Sequence, residues 1–183
     1  MRRAPRLGRA FFGRPTLVVA RALLGKLLTF EDRVARIMEV EAYIGGEPAS
    51  HARFGLTKRN FPMFGLPGFT YVYRIYGVYD CLNLSTEPKG FGAAILIRGA
   101  EPLAGFAAGT RLAGPGLLCR AFGITTAHTN RDLARGPIAV RDAARVPARL
   151  LGRSHRIGVH DRKPWRLYVR DSPGVSGPSS LRA

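Results

Sequence analysis

The chain has 183 residues, 46% of them hydrophobic, and 29 Lys plus Arg against 12 Asp plus Glu give it a formal net charge of +17. That length supports one sizeable core and is short for two, so a single domain over residues 1–183 is expected, and the charge implies a polyanionic partner, nucleic acid first. No apolar stretch is long enough for a signal peptide or a membrane span, and neither the two cysteines nor the four histidines carry zinc-ligand spacing, so a cytoplasmic protein without a metal site is expected.

Residues 1–14 read as a loosely held, Arg-rich lead with Phe11 and Phe12 as an anchor, and 1–10 and 177–183 as flexible ends. Pro15 opens a helix over Thr16–Leu24, which Gly25 ends. Val34 to Ile44 alternates in strand fashion, with Met38, Val40 and Ala42 on one side and Glu39, Glu41 and Tyr43 on the other. Gly45 to Gly68 is a turn-rich loop holding His51 and admitting a short helix. Phe69–Ile75 and Val78–Ser85 form two strands meeting at Tyr76-Gly77, where glycine supplies the positive φ of a tight hairpin and Tyr76 projects from the tip. A strand follows over Gly92–Arg98, then a helix over Leu117–Phe122. Two late strands, Arg156–Val159 and Trp165–Val169, precede a Pro/Gly/Ser tail from Ser172 that reads as disordered at its end. Adjoining strands with helices grouped elsewhere indicate an α+β fold.

Two features carry chemistry. The hairpin packs four of the six tyrosines into nine residues, Tyr71 to Tyr79, a composition that suits either a half-buried sheet face or stacking on nucleobases. The segment Glu39-Val40-Glu41-Ala42-Tyr43 puts two glutamates on one strand face with α-carbons ~6.6 Å apart. They can act as an acid and base pair or serve as salt-bridge partners for arginine. Glu41, with Tyr43, the His51 loop and Arg98 at the end of another strand, can form an aromatic-walled pocket with one carboxylate inside. Such a pocket suits hydrolysis of an N-glycosidic bond.

Glu39 to Tyr43, His51, Met63-Phe64, Gly68, Tyr71-Val72-Tyr73, Tyr76-Gly77, Asn83 and Leu96-Ile97-Arg98-Gly99-Ala100-Glu101-Pro102 together resemble the alkyladenine (3-methyladenine) DNA glycosylase family, the methylpurine-DNA glycosylase type. Downstream, Gly114 to Cys119, Arg131-Asp132-Leu133, Arg156 to Val159 and Trp165 to Val169 resemble the family's later blocks, so the likeness spans about residues 10–176.

The resemblance implies a curved, mainly antiparallel sheet with flanking helices and a protruding hairpin that inserts into the DNA minor groove. It implies a monofunctional glycosylase of base excision repair, monomeric and needing no cofactor, that flips alkylated or deaminated purines such as 3-methyladenine, 7-methylguanine or hypoxanthine out of double-stranded DNA. Water is the co-substrate and an abasic site the product. Glu41 corresponds to the base that activates water, with Arg98 and the Ile157 backbone carbonyl holding that water. Tyr43, His51 and Tyr73 correspond to base-pocket residues, Asn83 to a gate against the guanine amino group, and Tyr76 to the wedge that fills the vacated stack. Tyr71 and Tyr79 read as hairpin support, Cys81 and Trp165 as core, and Arg74 as a phosphate contact or a solvated charge. The alternatives are a non-catalytic basic nucleic-acid-binding protein, for which Glu41 need not be buried, and a glycosidase acting on free nucleosides.

Overall fold

The computed structural model describes residues 4–177. Its organising element is β2 (Arg33–Ile44), which has partners on both edges. On one side runs β5 (Ala93–Ala104), paired along nearly the whole strand. On the other lie β1 (Leu27–Phe30), opposite Arg33–Arg36, and β9 (Arg166–Val169), opposite Glu39–Glu41. Outward from β5 comes the hairpin of β3 (Thr70–Ile75) and β4 (Tyr79–Ser85). Short strands complete the sheet: β6 (Leu112–Ala113) on β5, β7 (Ala139–Arg141) on β1 and β8 (Leu151–Ser154) on β9. These pairings are all antiparallel, and with few helices the curled sheet makes an α+β domain.

Period-two alternation sorts the sheet's residues between two environments. Val72, Leu82, Leu84, Ile95, Ile97, Val40, Ala42, Leu167 and Val169 project to one face and form the main apolar core. The opposite face collects a polar row, because Tyr71 pairs with Asn83, Asn83 with Leu96, Leu96 with Glu41, and Glu41 with Arg166. Two residues along each strand stand Tyr73, Cys81, Arg98 and Tyr43 on that same face. The register between β2 and β5 slips on either side of Glu39, and Arg98 falls at this irregularity. A bulge of this kind re-aims a side chain, here between Glu39 and Glu41.

Helix α1 (Arg9–Phe12) and helix α2 (Thr16–Leu23) cover the core face. In α2 the buried residues Thr16, Val19, Ala20 and Leu23 follow helical spacing. Its first turn has no local side-chain cap. Glu87 supplies one from across the sheet, accepting hydrogen bonds from the Thr16 N–H at 2.6 Å and the Thr16 hydroxyl at 2.8 Å. Helix α3 (Phe61–Phe64) lies within the His51 loop. Helix α4 (Pro115–Phe122) starts two residues before the expected helix, with proline in its first turn, and ends at Gly123 with φ 73°.

Two expectations need correction. Residues 4–10 are not loose: Arg6 bridges Arg141, the Leu7 N–H donates to the Val140 carbonyl at 2.8 Å, and Phe12 just beyond is fully buried. Burial of one phenyl ring contributes about 1.5–3 kcal/mol, enough to hold a short lead in place. Arg156–Val159 is a turn rather than a strand, because Gly158 sits at φ 73° and the Arg156 side chain plunges inward; the strand pairing with β9 is β8. The tail from Ser172, expected to be disordered at its end, is packed as far as it is described: Ser172, Val175 and Ser176 are buried, and Ser172 and Ser176 bond to Glu101 and Glu39 respectively. Residues 1–3 and 178–183, expected as flexible ends, lie outside the described residues. Strands β1 and β7 have no counterpart in the sequence-based expectation.

Candidate active site

The polar face opens into a cavity of about 690 Å³, a size ordinary for a small-molecule site. Tyr43, His51, Tyr73, Asn83, Arg98 and Ile157 all line it, and Tyr76 stands at its rim, 85% exposed. The N-terminal turn of α4 forms the facing wall, with Gly116 against the Tyr79 ring: a Cβ there would lie 2.6 Å from it. Seven residues named from the sequence therefore converge on one cavity. The eighth, Glu41, lies directly behind three of them.

Glu41 is fully buried. Its Oε1 accepts the Ile157 N–H at 2.8 Å, and its Oε2 accepts the Tyr43 hydroxyl at 2.9 Å and Arg98 Nη1 at 3.4 Å. It is the amide N–H of Ile157 that reaches this carboxylate. Burial and the adjacent Glu41 charge push the Tyr43 phenol far above its ordinary range, so it stays a donor. A carboxylate offers about four acceptor positions, and three are filled. One remains.

Glu39, the other strand glutamate, is built differently. It too is fully buried, but its Oε1 takes Arg166 Nε at 2.6 Å and its Oε2 takes the Ser176 N–H at 2.7 Å. Sealed in this way and outside the cavity lining, Glu39 is no partner acid to Glu41. Of the two sequence alternatives, the salt bridge is the one the structure holds.

The aromatic wall is an edge-to-face cluster. The His51 ring lies 4.5 Å from Tyr73 and 5.9 Å from Tyr71, centroid to centroid, at steep angles. The His51 loop is held by Asn60, whose side-chain N–H groups donate to the His51 and Gly55 carbonyls at 2.7 and 2.9 Å. Burial, then the charges of Arg59 and Arg53, lowers the His51 pKa, so the ring is neutral near pH 7. Asn83 is fixed by two donations, to the Tyr71 and Cys81 carbonyls, both at 3.1 Å. Cys81 beside it is a buried thiol pushed up to about 11 by burial, hence unreactive at neutral pH.

At the hairpin tip the Val78 N–H donates to the Ile75 carbonyl, with Tyr76 at φ 52° and Gly77 at φ 71°. Both central residues of the turn thus have positive φ, a conformation glycine accepts freely and tyrosine does not. Arg74 is neither free nor solvated alone: its Nε and Nη2 pair with the two oxygens of Asp80 at 3.0 Å, directly across the hairpin.

Sequence reasoning missed three supports of the site. Tyr71, read as packing, places its hydroxyl 2.9 Å from His51 Nδ1. Arg166 is the buried partner of Glu39. Arg156 is also wholly buried, bonding Ala42, Glu47 and Asp161 while its guanidinium lies 4.6 Å from the Tyr43 ring and 5.2 Å from Trp165. It thereby ties the segment carrying Ile157 to the back of Tyr43. Trp165 is only partly buried and shares this cluster with Lys163. Among the described residues, no group of three or more His, Cys, Asp or Glu side chains could hold a metal ion, and no helix is long and apolar enough to cross a membrane.

Residues 10–173 match the family model described as methylpurine-DNA glycosylase. A Myxococcus xanthus protein is 48% identical over 94% of this chain and 94% of its own length. A Methanocella arvoryzae protein is 46% identical over 94% and 96%, and one from Legionella pneumophila strain Corby 41% identical over 93% and 98%. All three relatives are provisionally named 3-methyladenine DNA glycosylase. With nearly its full length matched by proteins of similar size, and with the family model covering the strands, hairpin and loops that frame the cavity, the chain belongs to the methylpurine-DNA glycosylase family.

Proposed function

We propose that this protein is a monofunctional DNA glycosylase that removes alkylated or deaminated purines, 3-methyladenine or hypoxanthine among them, from double-stranded DNA. The observation that carries the reading is Glu41: an ionisable side chain buried with three donors, one acceptor position left, behind an aromatic cavity in a protein of charge +17. In this mechanism Glu41 takes a proton from water as the water oxygen bonds to C1′ of the extruded nucleotide. The C1′–N bond breaks, its electron pair leaves with the base, and an abasic sugar remains. Arg98 balances the carboxylate charge, and the Ile157 backbone fixes its orientation.

Tyr43, His51 and Tyr73 enclose the base. A cationic alkylpurine stacks more strongly on such rings than a neutral base, and a neutral His51 does not repel it. Asn83 excludes the guanine amino group, and Tyr76 fills the gap in the stack from the minor groove, where its exposure at the tip suits it. A non-catalytic nucleic-acid-binding role gives no reason to bury Glu41. A nucleoside hydrolase gives none for the charge.

Release of 3-methyladenine or hypoxanthine from a duplex oligonucleotide tests the proposal, with free inosine as the competing substrate. Glu41→Gln is expected to bind lesion duplex while losing several orders of magnitude in excision. Wild-type protein inert on every such duplex overturns the reading.

A further inference from the structure

Behind the cavity, four charges alternate in a line: Arg166, Glu39, Arg98 and Glu41. Glu39 sits at its middle, fully buried, bonded to Arg166 Nε at 2.6 Å and facing Arg98 Nε at 3.3 Å. Arg98 in turn donates from Nε to the Ser176 hydroxyl at 3.1 Å and from Nη1 to Glu41 at 3.4 Å. The Ser176 N–H closes the ring on Glu39 at 2.7 Å. Glu39 is therefore absent from the cavity lining itself, yet it contacts Arg98, the cation that the cavity and Glu41 share.

We propose that Glu39 is a positioning residue: together with Ser176 it grips the Nε edge of Arg98 and thereby turns the Nη1 edge toward Glu41. This rests on the reading of Glu41 as the base. A guanidinium is planar and rigid, so fixing one edge fixes the direction of the other. Arg98 lines the cavity with a partly accessible side chain and is long and flexible. Without Glu39, the Nε edge is held by a neutral hydroxyl alone and the long 3.4 Å contact to Glu41 is left to set the orientation, so the guanidinium can swing toward solvent or incoming DNA phosphate. Arg166 has the separate task of neutralising Glu39 from behind, which leaves Arg98 shared between the two glutamates and not captured by one.

Segment 172–177 is part of the same device. It crosses β5 so closely that a Cβ on Gly99 would lie 2.0 Å from the Gly174 carbonyl oxygen and 3.1 Å from Glu39 Oε2. The close approach delivers Ser176 to both Glu39 and Arg98.

Single-turnover excision of hypoxanthine from a duplex, and affinity for a duplex carrying a stable abasic analogue, separate chemistry from binding. Glu39→Gln keeps the shape and removes the charge; it is expected to slow excision about tenfold or more with affinity unchanged within about twofold. In an Arg98→Ala background the same change should alter the rate less than about twofold, because the residue acts only through Arg98. A folded Glu39→Gln with wild-type rate, or a penalty that persists in full without Arg98, overturns the proposal. If Glu39→Gln does not fold, Ser176→Ala decides: it deletes only the hydroxyl held by Arg98 Nε and should slow excision about threefold in the presence of Arg98 and not in its absence. No effect there overturns the proposal as well. Full excision by Glu41→Gln in the same assay defeats the parent reading instead, so the two failures are distinct.

Discussion

The Tyr71 hydroxyl lies 2.9 Å from Nδ1 of His51, joining the hairpin to the His51 loop. Burial raises the Tyr71 pKa, so the phenol keeps its hydrogen. His51 beside it is neutral near pH 7. Because burial and two arginines lower its pKa from the ordinary 6.5, the unfolded chain holds an extra proton in the window just beneath that value. The stability contributed by the neutral ring is complete above 6.5 and is lost as pH falls through the window toward the folded-state pKa. The Tm of wild type should therefore fall faster than that of His51→Gln between about pH 6.5 and 5. Parallel Tm curves would show that the imidazole is not held neutral.

Tyr76 is an aromatic residue at φ 52°, exposed at the tip of the hairpin. Backbone strain of this kind costs of order 1–3 kcal/mol and persists where function requires it. Tyr76→Asn, a residue tolerant of the left-handed region, is expected to hold or raise Tm while weakening lesion binding and the 2-aminopurine fluorescence change on flipping. Unaltered flipping would remove Tyr76 as the wedge.

Part of the pocket face was legible in the sequence: strand alternation sets Glu41 and Tyr43 on one side of β2, and the family resemblance named Tyr73 and Asn83, whereas Cys81, read as core, shares their face and lines the cavity. What sits behind that face was not legible. Arg156 and Arg166 are buried among 25 arginines, and no local pattern distinguishes an arginine that folds inward from one in solvent. Their partners lie 109 and 127 residues away, at Glu47 and Glu39. Strand β7 is three residues long, too short for periodicity to register. The mistaken strand at Arg156–Val159 has the right alternation but contains Gly158, whose positive φ breaks it.

Arg156 provides a stability test. Its guanidinium, itself fully buried, bonds Glu47 through both Nη atoms, Asp161 and the Ala42 carbonyl. Arg156→Met leaves the Glu47 carboxylate with Lys163 alone at 3.4 Å, and breaking a buried pair from one side costs about 3–5 kcal/mol. Urea unfolding should show that loss, and Arg156→Met/Glu47→Met should recover a large part of it because neither charge is then stranded. A double variant as unstable as the sum of the singles would mean that Arg156 contributes by packing on Tyr43 and Trp165 instead.

Two glycines separate crowding from backbone strain. At Gly99 an added Cβ meets the Gly174 carbonyl oxygen at 2.0 Å, a contact with backbone that no rotamer change relieves. Gly99→Ala must push segment 172–177 off β5, and with it Ser176 off Glu39 and Arg98. Overpacking of this kind costs about 1–3 kcal/mol. At Gly109 the φ is +76° but nothing lies within 4 Å, so Gly109→Ala strains only an open loop outside the cavity lining. Both variants are expected to lower Tm by similar amounts. Only Gly99→Ala should also slow excision at saturating enzyme, since only there does the displaced backbone carry a contact to the arginine facing the base. Equal excision rates for the two would show that the tail segment stabilises the fold without setting the site.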